Sequence, residues 1–283
     1  MRIGRIPYIN CYPVYGAVDR GIVTLDGQLV DGIPSALNRQ MADGALDVSV
    51  ISAVEYARDA KRYLLLPDLA ISCDGPVRSV MLFSKRPAEE LGGARVLLSR
   101  SSMTSVALLQ LLFENVWHAA PGFAPGNAEL HDIHQFAREE HDARLVIGDA
   151  ALRLHAGPGA AEDRADAPAY PYVYDLGAEW KRWTGLPFVF AVWVAQRTVP
   201  VDASLRVHAG LIASRDWGIR HTDVLAEQAA SAAGVARTVA AEYLSGLDYG
   251  LSYEHLAGLT EFFRRLVAAG RVPNGSLAFL PAA

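Results

Sequence analysis

Leu97-Leu98-Ser99-Arg100-Ser101-Ser102-Met103-Thr104-Ser105 is the stretch that decides how this 283-residue chain is read. Val96 to Leu98 is a short apolar run that predicts a buried strand. Val106, Leu109, Leu112 and Phe113 then recur at helical spacing. A cluster of hydroxyls falls where that helix must begin. Backbone N–H groups at a helix start are unpaired and carry a partial positive charge. A serine or threonine placed there caps the helix or helps to bind an anion. Ser101, Ser102, Thr104 and Ser105 supply more hydroxyls than one cap requires, which points to a carboxylate or phosphate site.

Outward from this stretch the alternation of strand and helix continues. Residues 2–6 predict a first strand, followed by a proline-bounded loop, Pro7-Tyr8-Ile9-Asn10-Cys11-Tyr12-Pro13, and a helix over 14–20. Asn10 thus falls at the C-terminal end of a strand, the ligand side of an open α/β sheet, although a plain turn residue is the competing reading. Strands over 24–30, 46–51 and 63–71 alternate with helices over 34–41 and 53–61, the latter capped by Ser52. Asp74-Gly75-Pro76 breaks the series, and residues 77–84 read as extended. A second series begins after Lys85-Arg86-Pro87, with strands over 95–98, near 128–133 and over 143–147, and helices over 104–117, near 136–141 and over 150–155. Residues 157–169 form a polar loop, 170–176 and 188–195 are extended, and 178–183 make a helical turn. From residue 201 onward the pattern is helical, with no strands for those helices to cover except the N-terminal ones.

The expected fold is therefore an α/β chain of two lobes. Lobe one takes residues 1–84 plus 196–283, lobe two takes 85–195, and the extended segments 77–83 and 188–194 cross between them. Such chains bind ligands between the lobes. The topology brings to that cleft Tyr8 and Asn10, Ser79 from the first crossing, Ser101, Ser102, Thr104 and Ser105, Asp149 after Gly148, and Pro187 and Phe188 from the second crossing. Alternation turns Arg78 the other way.

Composition removes several classes. Net charge is −5 and no Lys/Arg-rich run occurs, so neither nucleic acid nor a membrane surface is an expected partner. No apolar run is long enough to span a bilayer. The chain starts directly in a strand without a secretory leader, which makes the expected location cytoplasmic. The two cysteines, Cys11 and Cys73, form no CxxC pair and are expected as free buried thiols rather than as a disulfide. His131 and His134 match no zinc spacing, and no metal is expected. The sequence has no G-x-S-x-G elbow, GxGxxG or Walker motif, so no cofactor is expected. A homo-oligomer is compatible with the sequence.

Several blocks, in order along residues 1–195, carry a resemblance. They are Ile3-Gly4 through Tyr8-Ile9-Asn10-Cys11-Tyr12-Pro13, Gly32-Ile33-Pro34-Ser35-Ala36-Leu37-Asn38, and Leu46-Asp47-Val48 through Tyr56. Val77-Arg78-Ser79-Val80, Ser102-Met103-Thr104-Ser105, Ile147-Gly148-Asp149-Ala150, and Asp175-Leu176-Gly177 with Trp180 and Thr184-Gly185-Leu186-Pro187-Phe188-Val189-Phe190-Ala191 complete the set. The sequence resembles the chorismate dehydratases of the futalosine route to menaquinone. The resemblance implies a type II periplasmic-binding-protein-like fold and loss of water from chorismate, a dicarboxylate, to give 3-[(1-carboxyvinyl)oxy]benzoate. It implies Asn10 and Ser79 as catalytic residues. Neither is a good base, so the substrate's enolpyruvyl carboxylate is the expected proton acceptor, with Asp149 either an acid for the departing hydroxyl or a helix cap. The alternatives are the related 1,4-dihydroxy-6-naphthoate synthase, which calls for a histidine base, and a non-catalytic small-anion-binding protein.

Overall fold

A computed structural model describes residues 1–126, 139–156 and 170–281. The expected strand near 128–133, His131, His134, part of the expected helix near 136–141 and the loop over 157–169 lie outside the described residues.

The chain begins with β1 (Arg2–Arg5), α1 (Tyr12–Asp19), β2 (Gln28–Asp31), α2 (Pro34–Ala42), β3 (Val48–Ser52), α3 (Ala53–Arg58) and β4 (Tyr63–Cys73). Strand β1 pairs in parallel with both β2 and β3, so helices must carry the chain back each time. Pro34 sits at the first turn of α2, where its missing N–H costs nothing. Pro67 lies inside β4. The strand runs through it with a shift of register and a positive φ at Asp68.

The second series is β5 (Val80–Ser84), β6 (Arg95–Leu98), α4 (Met103–Asn115), β7 (Gly122–Pro125), β8 (Ala143–Ile147), α5 (Gly148–Ala156), β9 (Tyr172–Asp175) and α6 (Leu176–Thr184). The chain then returns through β10 (Phe188–Gln196) to the helices α7 (Val201–Arg220), α8 (Thr222–Ala233), α9 (Arg237–Ser245) and α10 (Tyr253–Ala268). Among the described residues two five-stranded sheets result, ordered β2-β1-β3-β10-β4 and β7-β6-β8-β5-β9. Each sheet has at its interior one strand delivered by a crossing. β10 runs antiparallel to β3 and β4, and β5 runs antiparallel to β8 and β9.

This pairing corrects the expected boundaries. Residues 80–84 belong to the second sheet and residues 188–196 to the first, so the chain crosses earlier on both passes. Apolar continuity is the reason: both strands are buried along most of their length and read alike whichever sheet they join. The C-terminal helices cover the first sheet and its helices, with α10 on β10 and α7 on α1 and β4. Trp193 of β10 donates its indole N–H to the Tyr15 hydroxyl at 3.0 Å, and Tyr15 bonds the Gly4 carbonyl at 3.2 Å, tying α1 to two strands in the core.

Candidate active site

The strand ends and helix starts of the two lobes meet around a cleft of about 610 Å³, open mouth included. One part of its lining is apolar: Ile6, Ile71, Val77, Val80, Ile147 and Phe190. The polar part is Tyr8, Asn10, Ser52, Ser79, Ser102 and Ser105. No charged side chain is among these lining residues, and Pro34, Gly148 and Ala191 complete them.

Asn10 lies in a 3₁₀ turn, Ile9–Cys11, that follows β1. Its Oδ1 is buried without a hydrogen-bond partner among the described residues. Tyr8 packs its ring against the backbone of Gly148, across the cleft. A Cβ at Gly148 would stand 3.4 Å from two ring carbons, and the φ of +66° there already favours glycine. Next to that contact the Ile9 N–H donates to Asp149 Oδ1 at 3.3 Å. Asp149 therefore joins the first turn of α5 to the loop after β1, behind the cavity wall rather than in it.

Ser102 caps α4: its Oγ accepts from the Ser105 N–H at 3.2 Å and lies 2.8 Å from the Ser105 hydroxyl. Thr104 turns away from the cleft, and its Oγ1 accepts from the Val54 N–H at 3.3 Å, so the start of α3 is satisfied by the other lobe. Ser101 is fully buried and its hydroxyl has no described partner. Of these four, Ser102 and Ser105 line the cleft, Thr104 turns to α3 and Ser101 is buried. Ser52 stands at the N-cap position of α3 without capping it. Asn38 holds it instead and also reaches Met103 Sδ in lobe two at 3.4 Å.

Ser79 lies on the first crossing. The Val77 N–H donates to Asp175 Oδ1 at 3.0 Å and the Arg78 N–H to Asp175 Oδ2 at 2.6 Å. The Gly148 N–H donates to the Ser79 carbonyl at 2.7 Å. Arg78 adopts a positive φ of 62° and extends toward Glu242 at 3.6 Å, away from the cleft. On the second crossing Phe188 is core: it packs edge-on against Trp180, Phe190 and Phe262. Pro187 offers its carbonyl to the Trp180 indole at 3.1 Å. Neither lines the cleft; Phe190, one step further along the same face of β10, does.

Cys11 and Cys73 are free and buried, and burial pushes both thiols well above their ordinary range, so neither is a thiolate at neutral pH. Among the described residues no cluster of His, Cys, Asp and Glu could hold a metal ion. No described helix is long and apolar enough to cross a membrane.

The profile of a family described as menaquinone biosynthesis matches residues 1–268. The chorismate dehydratase of Thermus thermophilus is 32% identical over 268 residues, which span 92% of this chain and 95% of that protein. The chain belongs to the chorismate dehydratase family. The 1,4-dihydroxy-6-naphtoate synthase of the same bacterium is a more distant relative of this family member, 27% identical over 229 residues, 78% of this chain and 72% of that one. Among solved structures, the alkanesulfonate-binding protein SsuA of Xanthomonas axonopodis pv. citri superimposes with a TM-score of 0.66 at 14% identity, covering 98% of this chain and 96% of its own. The two-lobed periplasmic-binding-protein-like fold expected for the family is the fold present.

In this dehydratase-family chain Ser52 reads as a cap from sequence but lines the cleft, and Phe190, within a matching block, takes the place expected for Phe188 on the apolar wall. Asn38 on α2 is a buried amide that needs a polar partner, and Ser52 supplies it.

Proposed function

We propose that this chain removes water from chorismate to give 3-[(1-carboxyvinyl)oxy]benzoate, with Asn10 and Ser79 acting directly on the substrate. The observation that carries the reading is the composition of the cleft: an apolar wall beside hydroxyls and an amide, without a charged side chain among its lining residues.

Chorismate offers a carbocyclic ring to such a wall and two carboxylates to such donors. A carboxylate held by neutral donors keeps more of its proton affinity than one paired with a cation. That suits a substrate whose own enolpyruvyl carboxylate serves as the base. The ether tethers this carboxylate to the ring carbon that carries the proton to be lost, so proximity replaces a protein base. The carboxylate takes the proton, and the C–H electron pair becomes a ring double bond. The neighbouring C–O bond breaks, the hydroxide leaves with its electron pair, and the proton from the new carboxylic acid completes one water. The ring becomes aromatic, which supplies the driving force. Asn10 and Ser79 hydrogen-bond the carboxylate and the departing hydroxyl, holding both in line for elimination. Ser102, Ser105 and the start of α4 take the ring carboxylate. The reading includes a cytoplasmic location for the enzyme.

The test is to mix the purified protein with chorismate and follow products by liquid chromatography with mass detection. Loss of one water to an aromatic enolpyruvyl ether is the expected result. Chorismate returned unchanged by folded protein would overturn the reading, and tight binding without turnover would favour an anion-binding protein.

A further inference from the structure

Tyr243, near the end of α9, donates its hydroxyl to Ser79 Oγ at 2.8 Å. Both side chains are buried, and Ser79 is the one that also faces the cleft. We propose that Tyr243 is a positioning residue that fixes the direction of the Ser79 hydroxyl and makes it a hydrogen-bond donor to the substrate.

The main chain around Ser79 is already fixed from lobe two. Gly148 binds its carbonyl, and Asp175 binds the N–H groups of Val77 and Arg78. The remaining freedom is rotation of the side chain and its hydroxyl. A serine hydroxyl has one proton to give and two lone pairs to receive with. Tyr243 occupies a lone pair. In the cleft as it stands, Ser79 Oγ gives its proton to the Val77 carbonyl over a long 3.4 Å, a weak bond that a substrate carboxylate or hydroxyl can replace. With Tyr243 as donor, the serine proton cannot be spent on that side and is given to the substrate when it displaces the weak Val77 contact, and the bond Ser79 accepts strengthens the one it gives. The same bond makes Ser79 a poorer base, which fits a reaction in which the substrate accepts the proton.

Burial keeps Tyr243 neutral by pushing its phenol far above the ordinary range, with the Asp149 carboxylate adding to the effect, so it remains a donor at any working pH. Helix α9 grips the crossing at two successive residues, since Glu242 pairs with Arg78. This gives the C-terminal helices a direct line to the site.

The inference rests on the dehydratase reading, and turnover of chorismate by the unaltered protein is measured first: its absence overturns that reading and this one together. Given turnover, Tyr243→Phe, which keeps the ring, is expected to lower kcat by about tenfold with KM nearly unchanged. The decisive comparison is the double variant: Ser79→Ala with Tyr243→Phe should be no slower than Ser79→Ala alone, because without the hydroxyl there is nothing to position. Rate losses that multiply would overturn the role of Tyr243 and leave the dehydratase reading intact. If Tyr243→Phe does not fold, 3-fluorotyrosine at position 243 keeps ring and hydroxyl and strengthens only the donor; a changed kcat at constant KM supports the inference, and an unchanged kcat overturns it.

Discussion

Asn38 and Ser52 are joined by two hydrogen bonds: the Asn38 amide donates to Ser52 Oγ at 3.0 Å and accepts from the Ser52 N–H at 3.0 Å. The pair links α2 to the end of β3 and sets one wall of the cleft. Asn38→Ala leaves the Ser52 N–H without this partner and should cost about 2 kcal/mol of stability. Chemical denaturation measures that loss, and a raised KM for chorismate should accompany it.

Asn10 should behave in the opposite way. Its Oδ1 has no internal partner among the described residues, so Asn10→Ala removes no bond to that oxygen. The melting temperature should hold or rise, while kcat falls by roughly 100-fold, the usual scale for losing a donor at the reacting atoms. A large fall in stability with little loss of rate would assign Asn10 a structural role.

Asp149 tests the proton acceptor. Its Oδ1 accepts from Ile9 N–H, and an asparagine oxygen can do the same. Asp149→Asn should retain kcat within a few-fold, whereas Asp149→Ala, which cannot hold the loop, should raise KM. An Asp149→Asn protein that binds chorismate and does not turn it over would make this carboxylate the base.

Gly258 sets two effects against each other. In an open helix, Gly→Ala gains about 1 kcal/mol. On α10 the added Cβ would stand 2.0 Å from the Pro187 carbonyl oxygen, which is backbone and already bonded to Trp180. The clash should win, with a net loss of about 2 kcal/mol in Gly258→Ala. Thermal melts measure it.

Glu55 contributes a pH dependence of stability. Burial on α3 outweighs the attraction of Arg58 and raises its carboxyl above the ordinary range. The folded state then holds the proton to higher pH than the unfolded chain, so this contribution falls as pH rises from the ordinary glutamate range, about pH 4, toward the folded value. Glu55→Gln, neutral throughout, should gain stability relative to the parent as pH rises above the ordinary glutamate range, about pH 4. A difference independent of pH would refute the assignment.

The strand and helix order was legible because each segment carries its own period. What the sequence could not carry was which sheet a continuously apolar strand joins, since residues 80–84 and 188–196 look alike from either side. At the site, the hydroxyl cluster was visible, but tertiary contacts decided its use: Ser102 caps α4 beside Ser105 at the cleft, and Thr104 is taken by the Val54 N–H of the other lobe. Phe188 read as cleft-lining because it lies on the crossing, and Trp180 together with Phe262, the latter distant in sequence, walls it off. Tyr243 had no local signal at all: its partner lies 164 residues away.

Asp175 narrows what this chain can change. As the N-cap of α6 it accepts from Gly177 and Ala178 through Oδ1, a duty that serine, threonine or asparagine could also perform. Its second oxygen accepts from Arg78 N–H, beside Ser79, and no other capping side chain reproduces that. Serine and threonine have one oxygen, and asparagine would bring a second donor against the Arg78 N–H. A position that looks interchangeable by helix rules is therefore restricted to aspartate by the turn it shares, and drift at the start of α6 is coupled to the alignment of Ser79.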